Sequence, residues 1–503
     1  MASTQPSILV RTAAGAGWLI VLRVTLRLIG VATTLVLLRL LTPADFGIVT
    51  MAFSFTSAAE AVTAFGTEVQ LIRSRDPSPA LYDTAFTLNV LRSLAVALVV
   101  AGGSGPVAAW LGEPRLREVL IAIAVHILLK GCGNVRTVLF TRDLRFDRVY
   151  LLQVVPRLAQ AGVGIVLAVV LRSYWALVLG IMASSVTGLV LGYGLVPIRP
   201  RPTLSAWREL LSVSVWTWGI NVATVLRDRT EMFVIGRAFG VVKAGLYAIA
   251  VEFATLPVSE VMGQIGHATM PGLAAAARVH GTGHAAAAFR RILTLVILLS
   301  VAMGLGMSLV AGPFVALALG PRWAEAAPLI AMIAPLLVLM GPGHVAAALL
   351  TARGQLRTIC AITALAAALR AGTVIAVTSR FGLGGIAIGM GALVALEAVL
   401  LLALACHGVA LTLRRLAAIF WRPAVAGAVM VAALFWAGLA WLPPNEPAGE
   451  AALDLLAAVS LGAVVYTAAA ALLWAASGRP EGAERDLLLL LRTLGALAAR
   501  LRR

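Results

Sequence analysis

About fourteen long apolar stretches, following one another with hardly a gap, constrain this chain more than any other feature. They run at roughly 15–38, 45–69, 84–110, 117–139, 149–171, 175–196, 209–235, 244–270, 291–319, 326–350, 357–378, 382–406, 423–442 and 452–476. A membrane-spanning helix needs about 20 mostly apolar residues. Backbone polar groups inside a bilayer must be satisfied internally, which leaves only helices and closed barrels. A barrel strand is a piece of about ten residues of alternating polarity, whereas these runs are twice that length and rich in Leu, Ala and Val. The expectation is an all-α polytopic membrane protein with about 14 transmembrane helices. Composition agrees, with 61% hydrophobic and 12% charged residues and a mean hydropathy of +0.97. Soluble domains hold about 45–50% and about 25% respectively.

The formal net charge is +18. A basic balance can signal nucleic acid, but that needs a soluble basic face. Here the basic residues sit in short loops, where they read as topology signals. One alternating set of loops holds Arg73 and Arg75, then Arg142, Arg145 and Arg148, then Arg199, Arg201 and Arg208. The set continues with Arg278, Arg290 and Arg291, Arg353 and Arg357, and Arg414, Arg415 and Arg422. The opposite loop around Pro443 and Glu446 has no basic residue. The positive-inside rule then puts both termini in the cytoplasm. The first apolar run contains Arg23 and Arg27 and lacks the features of a cleaved signal, so it is expected to be a retained span. The tail from Arg485 to Arg503 mixes Leu and Arg as an interfacial amphipathic helix would. Cys132, Cys360 and Cys406 lie in apolar runs without a CxxC pair and read as small buried hydrophobes.

An internal repeat organises the chain. "LRLLTPADFGIVTMAFSF" follows span 1 (15–38), and "VIGRAFGVVKAGLYAIAVEF" follows the matching part of span 7 (209–235). At an offset of 198 residues Arg39 meets Arg237, Gly47 meets Gly245, Ala52 meets Ala250, Phe55 meets Phe253 and Trp18 meets Trp216. Two six-helix lobes in pseudo-twofold arrangement are expected, 1–200 and 201–415, about an axis along the membrane normal. Two extra helices at 416–478 and a basic tail at 479–503 follow. Gly47 and Gly245 would serve a tight turn or a helix start.

Charges inside spans are costly, about 2.5–3.5 kcal/mol for a central Arg on insertion scales, and mark functional sites. Arg23 and Arg27 are four apart on one face of span 1, at depths of about 12 and 18 Å from its cytoplasmic end. Glu60 descends span 2 (45–69) to about 14 Å and is the natural partner of Arg23. Both a closed salt bridge and a cargo contact fit this pattern. Span 7 carries Arg227, Asp228, Arg229 and Glu231, where Arg227 and Glu231 can pair at i,i+4 and leave Asp228 and Arg229 on other faces. Span 8 (244–270) has Glu252 and Glu260 with Pro257 between them to bend the helix. They are candidates for proton coupling or for pairing with the span 7 arginines. Span 4 (117–139) shows His126, Lys130 and Asn134 at i,i+4 as a polar stripe, with Arg136 beyond it. Arg370 and Glu397 lie in the eleventh and twelfth spans. Arg23, Arg27, Lys130, Arg229 and Arg370 thus form the expected cationic cavity, and the acidic residues are its ion-pair or proton-coupling candidates.

Other motifs are absent or weak. There is no GxxxxGK[ST] and no HExxH, and no cofactor or metal is expected. Gly382, Gly384 and Ala387 match GxGxxA inside an apolar run, where close helix packing by small residues explains them.

"RLLTPADFG" from Arg39 to Gly47, the following Phe-rich span and "QLIR" from Gln70 to Arg73 resemble the opening of bacterial polysaccharide exporters. "RDRTEMFVIGRAFGVVKAGLYAIA" from Arg227 to Ala250 resembles their second signature through Asp228, Ile235-Gly236 and Gly245-Leu246-Tyr247. These exporters are lipid-linked oligosaccharide flippases of the multidrug/oligosaccharidyl-lipid/polysaccharide superfamily. The resemblance implies a two-lobe bundle in the bacterial inner membrane with a central cationic cavity, working by alternating access. Its cargo would be a polyprenyl-pyrophosphate-linked sugar, an O-antigen, capsule or exopolysaccharide precursor. Its partners would be the polymerase and glycosyltransferases of the same pathway. Arginine suits such a cargo, because its charge persists and its fork matches phosphate oxygens. One departure makes the cavity asymmetric: the repeat places Asn221 and Val225 where the first lobe has Arg23 and Arg27. A cation-coupled multidrug exporter is the alternative within the superfamily. A membrane polymerase or ligase is the alternative enzyme, but such proteins carry a large external loop, and the outer loops here are short.

Overall fold

The computed structural model describes residues 8–63, 71, 78–197, 200–210, 215–279, 281–409 and 411–479, with side chains from residue 17 onward except at 260–285, 379 and 413. The expected amphipathic tail and the loop holding Arg73 and Arg75 lie outside the described residues. The described secondary structure is helical throughout. In order come α1 (Ile8–Leu40), α2 (Pro43–Val62), α3 (Pro79–Leu111), α4 (Arg115–Gly131), α5 (Phe146–Leu171), α6 (Trp175–Leu195) and α7 (Val215–Val279). Then follow α8 (Gly281–Leu309), α9 (Ala326–Leu336), α10 (Met340–Ala352), α11 (Leu356–Gly408), α12 (Leu413–Trp436) and α13 (Ala448–Ala476).

Eleven helices among the described residues are long and apolar enough to cross a membrane, or up to twelve if a bent pair at α4 counts as one span. Helix occupies part of every expected stretch. The count differs because α2, with Asp45, Glu60 and several hydroxyl residues, is too polar for the eleven, and because spans 7 and 8 join in α7. That helix bends at Gly240 (φ 78°, ψ 176°), a conformation open to glycine, and runs helically through Pro257. Likewise α11 is two expected spans joined at Gly382 (φ 62°, ψ −157°). Nothing lies near a Cβ built on Gly382, so this glycine serves backbone conformation rather than the close packing expected of it.

The chain divides into two compact units, Met1–Gly245 and Leu246–Arg503. In the first, α3 packs on α4, α5 on α6, α1 along α5, and α4 against both α2 and α6. The C-terminal ends of α1 and α5 and the N-terminal end of α6 meet in a core of Leu37, Leu41, Ala168 and Ala176, with Phe46 of α2 packed against it. Many outward apolar side chains, such as Leu28 and Val170, stay exposed, as lipid-facing surface requires. In the second unit α8 packs against α9, α10 and α12, and α12 pairs with α13. Tyr466 of α13 donates to the Leu298 carbonyl of α8 at 2.6 Å, so the additional C-terminal pair is tied to the rest of its unit.

The first limb of α7 runs antiparallel beside α2. Trp218 Nε1 donates to the Val62 carbonyl at 2.9 Å, Phe55 meets Phe233 edge-on with centroids 6.5 Å apart, and Met51 lies against Gly236. Near the start of α2 a Cβ on Gly47 would overlap the carbonyl oxygen of Val241, and a Cβ on Gly245 would overlap that of Pro43. This is one contact made twice, because Pro43 and Gly47 correspond to Val241 and Gly245 at the 198-residue offset of the repeat. Within the first unit, therefore, the two segments cross about a local twofold. Each glycine is near a helix start, as expected, but neither has the positive φ of a tight turn. What needs glycine is the close approach, which brings Cα–H groups onto facing carbonyls.

Candidate functional site

The motif "LTPADFG" builds the start of α2 at one end of the first unit. Thr42 caps α2, Pro43 opens it, and Asp45 completes a capping box. The Asp45 carboxylate is buried. Its Oδ2 accepts from the Thr42 amide at 2.9 Å and the Thr42 hydroxyl at 2.6 Å, and its Oδ1 accepts from the Tyr174 amide at 2.9 Å. Asp45 thus joins the start of α2 to the start of α6. Nearby, outside the spans, Arg115 hydrogen-bonds Glu113 at 2.7 Å and holds its carboxyl below the usual carboxylate range. Asp45→Ala strips buried donors of their acceptor, so a loss of about 1–3 kcal/mol is expected. Thermal unfolding of the purified protein in detergent measures it.

Since these helix ends meet, depth can be counted from them at about 1.5 Å per residue. Arg27 and Arg23 of α1 then lie about 20 and 25 Å down, Glu60 of α2 about 25 Å, and Lys130 of α4 about 22 Å. Arg157 of α5 lies about 21 Å down. These charges occupy one layer of the first unit. The layer falls within the apolar lengths of α1 and α5.

Two groups make up the layer. In one, Lys130 Nζ stands 4.0 Å from Glu60 Oε1, and His126 Nδ1 hydrogen-bonds Ser185 Oγ of α6 at 2.6 Å. Sequence spacing expected Arg23 opposite Glu60; the partner seen for Glu60 is Lys130, because the rotation of α2 about its axis turns the carboxylate to α4. The stripe expected to reach Asn134 stops at Gly131, where α4 ends and the chain turns by 62°. Asn134 is buried and donates to the carbonyls of Gly192 and Val196 at 3.0 and 2.8 Å, which makes it a structural bracket. Arg136 lies over the Tyr82 ring.

In the other group, half-buried Arg23 and Arg27 share α1 with Gly30, and Arg157 reaches Gly30 from α5. Arg157 Nη1 donates to Gln160 Oε1 at 3.0 Å, and Nη2 would be 3.2 Å from a Cβ on Gly30. Tyr150 of α5 also approaches α1, its hydroxyl 3.4 Å from Thr25 Oγ1. Arg157 and Arg92, a half-buried residue of α3, extend the set of intramembrane cations beyond those expected. Both carry the signal that singled out Arg23, a charge inside an apolar run.

The remaining candidates lie elsewhere. On the first limb of α7, Arg227 pairs with its neighbour Asp228, Nε to Oδ1 at 2.8 Å and Nη2 to Oδ2 at 3.3 Å. This pairing of adjacent residues stands beside the i,i+4 relation of Arg227 to Glu231 read from the sequence. Glu231 is buried and Arg229 half-buried. In the second unit Glu252 is exposed, while Arg370 and Glu397 are both buried within α11. Glu397 sits under a small groove with Leu365, Leu369, Leu396 and Leu400. The side chain of Glu260 lies outside those described. Among the described residues, no group of three or more His, Cys, Asp or Glu is placed to hold a metal.

The fold defines a multi-pass helical membrane protein with a charged layer inside its first unit. Its fold is that of the lipid II flippase MurJ in an inward closed conformation, with a TM-score of 0.70 at 10% identity over 93% of this chain and 100% of that one. An inward-facing multidrug transporter of the MATE family matches with a TM-score of 0.61 at 15% identity, over 76% of this chain and 94% of the other. Residues 36–328, more than half of the chain, match the family model described as polysaccharide biosynthesis protein, and the chain belongs to that family. It is 24% identical over 305 residues to the succinoglycan biosynthesis transport protein ExoT of Rhizobium meliloti, covering 60% of this chain and 61% of that relative. It is 23% identical over 354 residues to the lipopolysaccharide biosynthesis protein WzxC of Escherichia coli, covering 69% of this chain and 70% of that relative.

Proposed function

We propose that this chain moves a polyprenyl-pyrophosphate-linked oligosaccharide across the bacterial inner membrane. The cargo is a repeat unit of O-antigen, capsule or exopolysaccharide. The observation that carries this reading is the layer of guanidinium and ammonium groups inside the first unit, at a depth where only an anionic ligand or a functional path justifies them. The names of the relatives, transport and biosynthesis of surface polysaccharides, support the same cargo class. Arg23, Arg27 and Lys130 hold the pyrophosphate, with Arg229 and Arg370 as further cationic contacts. Glu60, Asp228, Glu231, Glu252, Glu260 and Glu397 pair with these cations or take up protons as the protein cycles. Alternating access moves the lobe of residues 1–200 against that of 201–415. The pathway's glycosyltransferases supply the cargo and its polymerase consumes it.

Deleting the gene tests the reading. Lipid-linked repeat units should accumulate on the inner leaflet, and surface polymer should disappear. Unchanged polymer with no accumulated precursor would refute it. Both termini face the cytoplasm in this reading. A single cysteine at Arg290 should therefore resist an impermeant maleimide in intact cells, and one at Glu446 should react. The reverse pattern would invert the orientation.

A further inference from the structure

We infer that Arg157 is the residue by which this protein distinguishes a diphosphate from a monophosphate. The inference rests on the anionic-cargo reading above and adds a specificity role to it.

Arg157 lies about 16 Å from the inner start of α5 and about 21 Å from its outer end. Neither end is within comfortable reach of its guanidinium. Among the described residues its one hydrogen-bond acceptor is Gln160, at 3.0 Å from Nη1, and no carboxylate pairs with it. A guanidinium has five N–H donors in a fixed fork. Gln160 takes one of them and holds the group in place. The other terminal nitrogen lies across α1 at Gly30, where a Cβ would come within 3.2 Å of Nη2. The missing side chain at residue 30 makes the room in which the guanidinium sits.

Gly30 is three residues from Arg27, so the two are neighbours on adjacent turns of α1. The contact at Gly30 therefore sets the Arg157 fork about one helical turn from the position of Arg27, a rise of about 4.5 Å. The outer oxygens on the two phosphates of a diphosphate are spaced on this scale. Arg27 meets one phosphate and Arg157 the other, each by charge-assisted hydrogen bonds. A monophosphate engages Arg27 and leaves Arg157 on Gln160 alone.

The test uses the purified full-length protein in detergent and three probes, farnesyl diphosphate, farnesyl monophosphate and farnesol, read by quenching of intrinsic tryptophan fluorescence. The wild type should bind the diphosphate about tenfold more tightly than the monophosphate. Arg157→Ala should abolish that preference by weakening diphosphate binding far more than monophosphate binding. Arg157→Lys should recover only part of it, because an ammonium lacks the fork. Gly30→Leu keeps the charge but fills the space the guanidinium uses, and should lose the preference as Arg157→Ala does. An Arg157→Ala protein that retains the wild-type preference, or a Gly30→Leu protein that does so, would overturn the inference. A wild type that binds both phosphates equally, yet more tightly than farnesol, overturns this inference alone. A wild type that binds neither phosphate better than farnesol overturns the cargo reading itself.

Discussion

Replacing Arg23 or Arg27 with alanine is expected to abolish surface polysaccharide while leaving the protein in the membrane at its normal level. Both residues are half-buried on α1, in the same layer as Lys130, Glu60 and Arg157. An arginine near the centre of a span costs about 2.5–3.5 kcal/mol on insertion scales. Its removal therefore eases insertion, and loss of polymer in such a variant reflects loss of cargo handling. Arg→Lys at either position separates charge from geometry, since lysine keeps the positive charge but loses the bidentate fork. Polymer should return in part. Extraction of surface polymer beside immunoblots of the membrane fraction gives both readings. Wild-type polymer from both alanine variants would remove these residues from the site.

The second large effect concerns folding. Gly47→Leu or Gly245→Leu should each destabilise the protein by about 3 kcal/mol or more, at the upper end of what overpacking costs. The atoms in the way are backbone carbonyls, those of Val241 and Pro43, and no rotamer change moves them. With native stabilities of about 5–15 kcal/mol, such a loss lowers the folded population and so the steady-state level. Folded protein recovered by size-exclusion chromatography in detergent should fall several-fold for each variant. An undiminished, monodisperse peak would mean that the crossing is looser than the contact requires. Gly17, whose added Cβ meets nothing within 4 Å, is the matched control, and Gly17→Leu should be tolerated.

Much of the fold is legible in the sequence because one signal dominates it. A run of about 20 apolar residues must become a spanning helix, whatever surrounds it. Breaks are harder to read. At Gly240 and Gly382 a single glycine turns the chain without ending the helical run on either side, so paired spans merge. At Gly131 to Asn134 the helix stops in an otherwise continuous apolar stretch, and a stripe counted at i,i+4 loses its last member. The site was legible as a list of charges and less so as a set of partners. Which carboxylate meets which cation depends on the rotation of each helix about its axis, and hydropathy carries no information on that rotation for a helix that is apolar nearly all round. Glu60 facing Lys130 is an outcome of this kind. The Arg157 contact with α1 depends on the absence of a side chain at Gly30, which no count of charges reveals.

The crossing of α2 with α7 has a consequence for assembly. Because Gly47 touches Val241 as Gly245 touches Pro43, the surface is self-complementary, the isologous kind found on the dyad of a homodimer. Such a surface does not distinguish between two sides on one polypeptide and two sides on separate copies. Placing both sides on one chain turns what would be a bimolecular association into an intramolecular one, governed by effective concentration. The contact then forms at any expression level, and each of its two sides is free to accept substitutions the other lacks, as Thr42 and Gly240 at equivalent positions already illustrate.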